Sequence, residues 1–497
     1  MFNFLNSIKK EANLTTTENN ALTYYSTLSD CLDLFYRIGA LRQANEQEIT
    51  SIIERAYTEN KDYTFRILFF ARDIRGGLGE RRVFRISMDY LAKTHTDSVL
   101  KNLELFSEYG RWDDLINLYN CNVKVIQKNI ISIINQQLNK DIQNMNSNNS
   151  ISLLAKWIPS INASNKDTIS LAKKISKELN MSYKEYRQTI SKLRKYLDIL
   201  ENRLRTKDYS FDYSKQPSRA MVKYRQAFFR NDADRYMNFL QSVKNGETKI
   251  NTGTLYPYDI VRQILNNRGK ISKNERTSLD VTWNSLPSVN IDKNSIAVID
   301  GSGSMYMSYR CDLLPYQVAI SLGLYFAEHS TGAFANHFIT FSSNPRLVEV
   351  KGKDIVDKVN YISTFNECSN TNIQGVFDLI LNTAIHQKLP QKELPDTIYI
   401  ISDMEFDNCA YNNNQHCTNF DCARQKFEQH GYKLPNVVFW NVASRNQQVP
   451  VTKHQSGALL VSGSTAKIFD MVQTNKLNPE QFMLDIINGE RYNKIFA

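Results

Sequence analysis

Three oxygen-bearing side chains stand at alternate positions in the segment Asp300-Gly301-Ser302-Gly303-Ser304. A carboxylate and two hydroxyls in a glycine-containing turn can bind a hard divalent cation such as Mg²⁺, which prefers an octahedral shell of oxygens and usually retains some waters. Three ligands do not complete that shell. Thr371, just before a predicted helix, and Asp403, at the end of a predicted strand, offer further oxygens. The pattern predicts a cation site built from separate loops.

Strands and helices alternate in the second part of the chain, which would place these loops together. Apolar, β-prone runs bounded by turn residues predict strands at 295–299, 337–341, 347–350, 397–401, 437–441 and 459–461. Helical patterns lie between them at 315–328, 373–384 and 422–430. Such alternation predicts a doubly wound α/β fold, a parallel sheet with helices on both faces. The site then lies beyond the carboxyl ends of the strands.

The five residues resemble a known metal site. In order, spacing and position at strand ends, Asp300, Ser302, Ser304, Thr371 and Asp403 look like the metal-ion-dependent adhesion site of von Willebrand factor A domains. The resemblance implies that the two serines and the threonine coordinate Mg²⁺, or another divalent cation such as Mn²⁺, directly. It implies that the two aspartates bind directly or through water. One position would stay open to an acidic ligand from a partner protein.

Other interpretations of the same residues are open. Asp300 could cap a helix while the serines serve a turn. Nucleophilic catalysis is disfavoured because the sequence around Ser302 lacks the G-x-S-x-G elbow. Neither a P-loop nor a G-x-G-x-x-G fingerprint is visible.

A second group of potential metal ligands lies in an Asn-rich polar stretch. It consists of Cys409, His416, Cys417 and Cys422. Their spacings lack the C-x₂₋₄-C pairs of structural zinc sites, so we expect a surface insertion rather than a zinc site.

Charge is distributed unevenly along the 497 residues. Residues 1–290 hold 44 basic and 31 acidic residues, whereas residues 291–497 hold 17 and 20. Residues 151–250, named here the basic segment, hold 21 basic and 10 acidic residues, a net charge of +11. A solvated helical surface is the usual fate of Lys and Arg. This local excess also fits a polyanionic partner.

Residues 1–290 are predicted to be helical, and 291–497 to form the sheet domain. The clearest helix begins at Ser182, which has capping-box spacing with Glu185 and is followed by an apolar stripe through Leu204. Similar patterns surround residues 32–38, 49–56, 65–74, 83–91 and 123–138. Stacked helical pairs would bury so many amphipathic helices. The polar stretch 143–150 (QNMNSNNS) predicts a loop between helical groups.

Four segments of the helical part carry a second resemblance. Residues 71–82 (ARDIRGGLGERR), 109–115 (YGRWDDL), 157–159 and 186–194 resemble a protein family found in bacteria, plants and large viruses. That family is similar to the Ro ribonucleoprotein, or TROVE, group, in which a ring of HEAT-like helical repeats joins a von Willebrand A domain. The resemblance implies that small structured or single-stranded RNA binds the basic helical domain.

Phosphates need Lys and Arg, and splayed bases need aromatic or guanidinium planes. The candidate RNA-binding residues are Arg72, Arg75, Arg81, Arg82, Lys184, Arg187, Lys215, Arg219, Lys223, Arg225 and Arg230. Tyr224 and Phe228 interleave with the last of these, but their spacing of four also fits one core-facing helical stripe. Arg72 beside Asp73 could instead form an ion pair within the chain.

The expected function is therefore non-catalytic RNA binding with a metal-dependent ligand site. The alternative is a metal-dependent protein-interaction scaffold without RNA binding, and a metal-dependent phosphohydrolase is a third, weaker possibility. Seven mostly scattered cysteines favour reduced thiols in the cytoplasm. The longest uncharged apolar stretch, residues 313–327, is short of a membrane span, and the N-terminus lacks the order of a secretory signal.

Overall fold

A computed structural model describes residues 12–267, 269–289, 291, 294–308, 310–365, 371–408, 417–473 and 477–497. A helical part comes first and a sheet-containing part follows it. In these ranges, no helix combines the length and the apolar character that crossing a membrane requires.

The sheet has six strands in the described residues. Two short strands near the N-terminus, β1 (Leu14–Thr16) and β2 (Leu22–Tyr24), precede them and lie outside this sheet. The six are β3 (Ser295–Asp300), β4 (His337–Phe341), β5 (Leu347–Glu349), β6 (Thr397–Ser402), β7 (Asn436–Asn441) and β8 (Ala458–Ser462). Their order across the sheet is β5-β4-β3-β6-β7-β8. All neighbouring pairs are parallel except β4 and β5. The predicted strands are confirmed to within one residue at each end.

Helices alternate with these strands along the chain. In the described residues they are Pro315–His329, Ile355–Ile362, Ile373–Gln387, Asn419–Gln429, Lys467–Gln473 and Pro479–Ile487. The central strands β3 and β6 are buried along their whole length. Runs buried on both faces lose the alternation of polar and apolar residues that marks a half-exposed strand.

Among the described residues before 290, the regular structure is helical apart from a short N-terminal hairpin. The hairpin consists of β1 (Leu14–Thr16) and β2 (Leu22–Tyr24), paired antiparallel. The helices are Asp30–Ile38, Glu46–Glu59, Lys61–Arg72, Arg82–Thr94, Thr96–Asn102, Phe106–Tyr109, Trp112–Leu118, Lys124–Asn146, Leu154–Trp157, Lys166–Glu178, Tyr183–Tyr196, Leu200–Arg205, Ser218–Asn231, Ala233–Lys244, Pro257–Asn266 and Lys273–Asn284.

Two local predictions in the helical part need correction. The helix Lys124–Asn146 continues through the first residues of the predicted loop at 143–150. The helix that starts after Ser182 has the predicted capping box with Glu185, but it ends at Tyr196. Asp198 then takes a left-handed conformation with φ of 46°, which separates the apolar stripe into two helices.

The two parts share one hydrophobic core that runs from Ala21 to Ala497. The backbone N–H of Gly39 donates to Ser462 Oγ at 3.0 Å, at the end of β8. A Cβ at Gly39 would lie 2.6 Å from the carbonyl carbon of Ser462, so only glycine allows this approach. Near the C-terminus, the Tyr492 hydroxyl donates to Asp73 Oδ2 at 3.1 Å. The helical part therefore packs directly against the sheet part.

A second, separate hydrophobic core lies within the basic segment and includes one residue of the later helix Lys273–Asn284. Its buried members are Leu200, Phe211, Tyr213, Met221, Phe228, Tyr236, Leu240, Ile250 and Val281. Phe228 is fully buried here, with its ring 5.2 Å from that of Tyr213. Phe228 is thus a core residue and has no face on which a base could stack.

Candidate functional site

The carboxyl ends of β3 and β6 bring Asp300 and Asp403 to the same edge of the sheet. The two strands are parallel neighbours, with Ile299 opposite Ile401. Asp300 is the last residue of β3, and Asp403 directly follows Ser402, the last residue of β6. In open parallel sheets, ligands bind beyond this edge.

Hydrogen bonds hold the Asp300 carboxylate in a fixed orientation. Its Oδ1 accepts from the backbone N–H of Ser302 at 2.8 Å, and its Oδ2 accepts from the Ser402 hydroxyl at 2.5 Å. Ser302 Oγ and Ser304 Oγ are 3.0 Å apart. Ser304 also hydrogen-bonds the Asp403 carboxylate. Asp300, Ser302, Ser304 and Asp403 are named here the acidic cluster.

The two carboxylates of the acidic cluster are buried, with 0% and 2% of Asp300 and Asp403 exposed. Burial, and after it the negative charge of Asp403, raises the pKa of Asp300 to about 7. Burial also raises the pKa of Asp403, although the hydrogen bond from Ser304 and the charge of Arg445 lower it. A cation between these groups would relieve the cost of burying two negative charges together.

The donor set fits a hard divalent cation. Two carboxylates and two hydroxyls are all oxygen ligands, which Mg²⁺ and Mn²⁺ prefer. Among the described residues, no group of three or more His, Cys, Asp or Glu side chains is placed to hold a metal. The fit therefore depends on the serine hydroxyls as much as on the carboxylates.

Thr371, the fifth predicted ligand, makes its described contacts elsewhere. Its hydroxyl donates to the carbonyl oxygen of Glu405 at 2.5 Å and accepts from Asn19 Nδ2 at 3.3 Å. Its Oγ1 also lies 3.4 Å from Asp407 Oδ1. These bonds join Thr371 to the loop after β6 and to the N-terminal hairpin. The structure thus brings four of the five predicted ligands together.

The N-terminal hairpin covers the loop that follows β6. The Glu18 backbone N–H donates to Glu405 Oε2 at 2.9 Å, and the Glu18 carboxylate forms an ion pair with Arg445. Arg445 Nη1 also lies 3.4 Å from Asp403 Oδ2. A cavity of about 350 Å³ opens beside Ser304, with Glu18 and Arg445 in its lining. An acidic residue of the chain itself therefore lies at the edge of the cluster.

The predicted surface insertion with potential zinc ligands falls partly outside the described residues. Cys409 and His416 lie there. Cys417 and Cys422 are described, and neither forms a disulfide with another described residue.

Two of the eleven candidate RNA-binding residues are buried, which corrects their assignment. Arg72 is 2% exposed, and its Nη2 lies 2.6 Å from Asp114 Oδ2. Arg225 is 5% exposed and faces Glu275 at 3.9 Å. A guanidinium sealed in the core and paired with a carboxylate cannot reach a phosphate.

A third candidate, Arg82, is half-buried and holds backbone. Its Nη1 donates to the carbonyl oxygens of Arg42 at 3.2 Å and Ala44 at 2.9 Å. The other candidates face solvent, and they are Arg75, Arg81, Lys184, Arg187, Lys215, Arg219, Lys223 and Arg230. Eight of the eleven candidate RNA-binding residues are therefore accessible to a ligand.

Residues 17–130 and 120–290 match the family model described as a domain of unknown function, DUF2828. The chain belongs to this family. Residues 294–486 match a second domain of unknown function, DUF7788. The uncharacterized protein L728 of Acanthamoeba polyphaga mimivirus is 31% identical to this DUF2828 protein over 525 residues, which cover 98% of this chain and 89% of that protein.

Among solved structures, the Ro (RSR) protein of Deinococcus radiodurans is similar to this DUF2828 protein over 90% of this chain and 92% of that one. The identity is 12% and the TM-score 0.35. A similarity of this size carries no argument about fold or function.

Two side chains that contact the acidic cluster of this DUF2828 protein were not predicted. Ser402 had a signal, since it ends a β-prone run directly before Asp403. Arg445 had none, because 42 residues separate it from Asp403 and no motif joins them. Its contact depends on how the loop after β7 folds back over the sheet edge.

Proposed function

We propose that this protein is a non-catalytic RNA-binding protein whose helical part holds phosphates through exposed Lys and Arg side chains. The observation that carries the proposal is the exposure of the basic segment. Its net charge is +11 over residues 151–250, and Lys184, Arg187, Lys215, Lys223 and Arg230 all face solvent. Clustered, exposed positive charge is the electrostatic footprint of a nucleic-acid-binding surface.

RNA is favoured over an acidic protein because the four helical segments resemble a protein family that is in turn similar to the Ro, or TROVE, group. The helical part would then correspond to its HEAT-like repeats, and the sheet part to its von Willebrand A domain. Closure of the helices into a ring remains part of this proposal.

The RNA proposal is tested by fluorescence anisotropy with a labelled structured RNA. A double variant, Lys184→Gln with Arg187→Gln, removes two exposed charges from the basic segment. Lys124→Gln with Lys128→Gln removes two exposed lysines from the helix Lys124–Asn146 and serves as the matched control. We expect the first pair to weaken binding about tenfold and the control to change it less than twofold.

Equal effects of the two pairs would show that the basic segment is not the RNA surface. Capture from cells treated with ribonuclease separates RNA binding from the scaffold alternative. Protein partners that survive the nuclease, and that depend on Asp300 and Asp403, would contradict the RNA proposal.

In the sheet part, we propose that the acidic cluster binds Mg²⁺ or a similar divalent cation. Asp300, Ser302, Ser304 and Asp403 would provide the oxygens. Thr371 would join them if a shift of the loop after β6 released its hydroxyl from the carbonyl oxygen of Glu405. The proposal is supported by the burial of two neighbouring carboxylates, Asp300 and Asp403. Among the described basic side chains, only Arg445 forms an ion pair with either of them.

Isothermal titration with Mg²⁺ tests the metal site. Asp300→Asn and Ser302→Ala should each abolish binding while the unfolding midpoint of the metal-free protein is kept. Asn at position 300 can still accept the Ser302 N–H, and the Ser402 hydroxyl can rotate to accept from its amide. Unchanged Mg²⁺ affinity in both variants would refute the site.

A further inference from the structure

A cavity of about 390 Å³ lies between helices that are far apart in the sequence. Its lining includes six arginines, and they are Arg42, Arg72, Arg81, Arg111, Arg219 and Arg262. Residues 311–313, from the loop after β3, close one side. We name this cavity the arginine cleft. The volume falls within the range of small-ligand sites.

Part of the positive charge in the arginine cleft is already neutralised. Arg42 donates through Nε to both carboxylate oxygens of Glu80, at 2.8 Å each. Arg72, which borders the cleft, is paired with Asp114. These two arginines are structural and hold the walls of the cleft.

Three further arginines have only distant carboxylates. Arg81 lies 3.7 Å from Asp113, Arg219 lies 3.7 Å from Asp259, and Arg262 lies 3.8 Å from Asp312. About half of the Arg81 and Arg219 side chains is exposed. Ion pairs that are this long and this exposed contribute little, so an incoming anion can compete for these guanidinium groups.

Arg111 is the least compensated member. Its guanidinium lies over the Trp157 ring, 5.0 Å from the ring centre. Within the described ranges, no carboxylate oxygen comes within 4.0 Å of that guanidinium. Burial lowers the pKa of Arg111, Asp113 opposes this, and the positive charges of Arg219, Arg72 and Arg81 lower it further. The positive charges close to the Arg111 guanidinium create a positive electrostatic potential that favours binding of an anion.

The aromatic lining indicates which part of a nucleotide the cleft would accept. The rings of Tyr256 and Tyr258 stack on each other at 5.4 Å, with 10° between their planes. Arg219 lies over Tyr256 at 5.3 Å, and Arg42 lies over Tyr258 at 5.7 Å. Both tyrosines are therefore engaged with each other and with arginines, which leaves the guanidinium donors rather than an aromatic face to meet a ligand.

We propose that the arginine cleft binds a phosphate group, with Arg81, Arg111 and Arg219 as its principal ligands. Guanidinium groups bind phosphate oxygens through paired, charge-assisted hydrogen bonds, which lysines do not reproduce. The inference deepens the proposed RNA binding and rests on it for the biological source of the phosphate. That phosphate is either the terminal group of an RNA strand or an internal phosphodiester.

The first experiment uses inorganic phosphate as the probe and does not depend on RNA. Differential scanning fluorimetry of the full chain compares sodium phosphate with sodium chloride at equal ionic strength. We expect phosphate to raise the unfolding midpoint of the wild-type protein and of Lys128→Gln, which removes an exposed charge that lies outside both the cleft and the basic segment. The shift should vanish in Arg111→Gln and in Arg219→Gln.

The second experiment measures anisotropy with a short single-stranded RNA carrying either a 5′-phosphate or a 5′-hydroxyl. Arg111→Gln and Arg219→Gln should weaken binding of the phosphorylated strand about tenfold or more, and Lys128→Gln less than twofold. Loss of the 5′-phosphate preference in the variants identifies a terminal phosphate as the ligand. An equal loss for both strands identifies an internal phosphodiester.

Outcomes for the cleft and for RNA binding are distinguishable. A phosphate-specific shift that requires Arg111 and Arg219, in a protein that binds no RNA, supports the cleft and refutes the RNA function. RNA binding that is the same in Arg219→Gln as in Lys128→Gln, with no phosphate-specific shift, overturns the cleft and leaves RNA binding intact. Arg219 is half exposed, so its variant stays informative if Arg111→Gln fails to fold; Arg219→Lys should recover only part of the binding.

Discussion

The acidic cluster and the basic segment differ in how their charges are held. In the acidic cluster, the carboxylates of Asp300 and Asp403 at the ends of β3 and β6 are buried, and that of Asp300 accepts from the Ser302 N–H and the Ser402 hydroxyl. In the basic segment, most Lys and Arg side chains are exposed, and only six of the 21 have a carboxylate oxygen of a described residue within 4.0 Å. The oxygens of the acidic cluster are held in place before any ligand arrives, whereas the charges of the basic segment lie at the ends of exposed, flexible side chains.

This difference has consequences for recognition. A fixed, buried set of oxygens selects a ligand by size and coordination geometry, and salt screens it weakly. Mobile surface charges select by sign and density, and salt screens them strongly. Burial, more than the kind of residue, therefore separates a specific site from an electrostatic surface, and arginines are found in both situations in this chain.

The largest effect is expected where an arginine is buried. Arg72→Ala should lower the free energy of unfolding by about 3–5 kcal/mol, because it leaves the buried Asp114 carboxylate without its 2.6 Å partner. Arg85, whose Nε lies 2.7 Å from Asp114, keeps the loss near the lower end. Urea denaturation followed by circular dichroism measures the change.

Arg187→Ala, at an exposed position, is the matched comparison and should leave the urea midpoint unchanged while it weakens RNA binding. A normal midpoint in Arg72→Ala, together with weaker RNA binding, would return Arg72 to the RNA-binding set.

Arg72 also shows what the sequence can and cannot predict. The strands, the capping box at Ser182 and the meeting of Asp300 with Asp403 follow from local patterns and from the rule for parallel sheets. Whether an arginine lies inside or outside depends on a partner such as Asp114, 42 residues away. Arg445, Glu18 and the arginine cleft are of the same kind, because their neighbours come from distant segments that no local pattern joins.

Salt should separate the two regions most clearly. If about five phosphates are contacted, the RNA dissociation constant should rise about 100-fold between 50 and 200 mM KCl, through release of counterions from the RNA. Mg²⁺ affinity at the acidic cluster should change only a few-fold over the same range. Anisotropy and isothermal titration on one preparation measure both. Equal salt dependence would show that the two regions do not differ in the way described.

Acidification should act on the acidic cluster in a known direction. The raised pKa of Asp300, about 7 in the absence of metal, means that the carboxyl is mostly protonated at pH 6 and mostly ionised at pH 8. A cation requires the ionised form, so Mg²⁺ affinity should be highest above pH 7 and fall about tenfold between pH 8 and pH 6. Titrations at three pH values measure it. An affinity that does not change with pH would mean that Asp300 is ionised throughout and is not the group that limits binding.

The smallest effect is expected from removing the charge of Arg445, which lies beside the acidic cluster. Its Nη1 lies 3.4 Å from Asp403 Oδ2, so its positive charge weakens the negative potential that would attract a cation. Arg445→Gln should therefore tighten Mg²⁺ binding about threefold, an effect of the size expected for one partly screened charge. Arg424→Gln is the control, since Arg424 is paired with Asp421 at 3.1 Å on the helix Asn419–Gln429. Weaker Mg²⁺ binding in Arg445→Gln would show instead that Arg445 orients Asp403, and that the acidic cluster depends on a side chain held in place by Glu18.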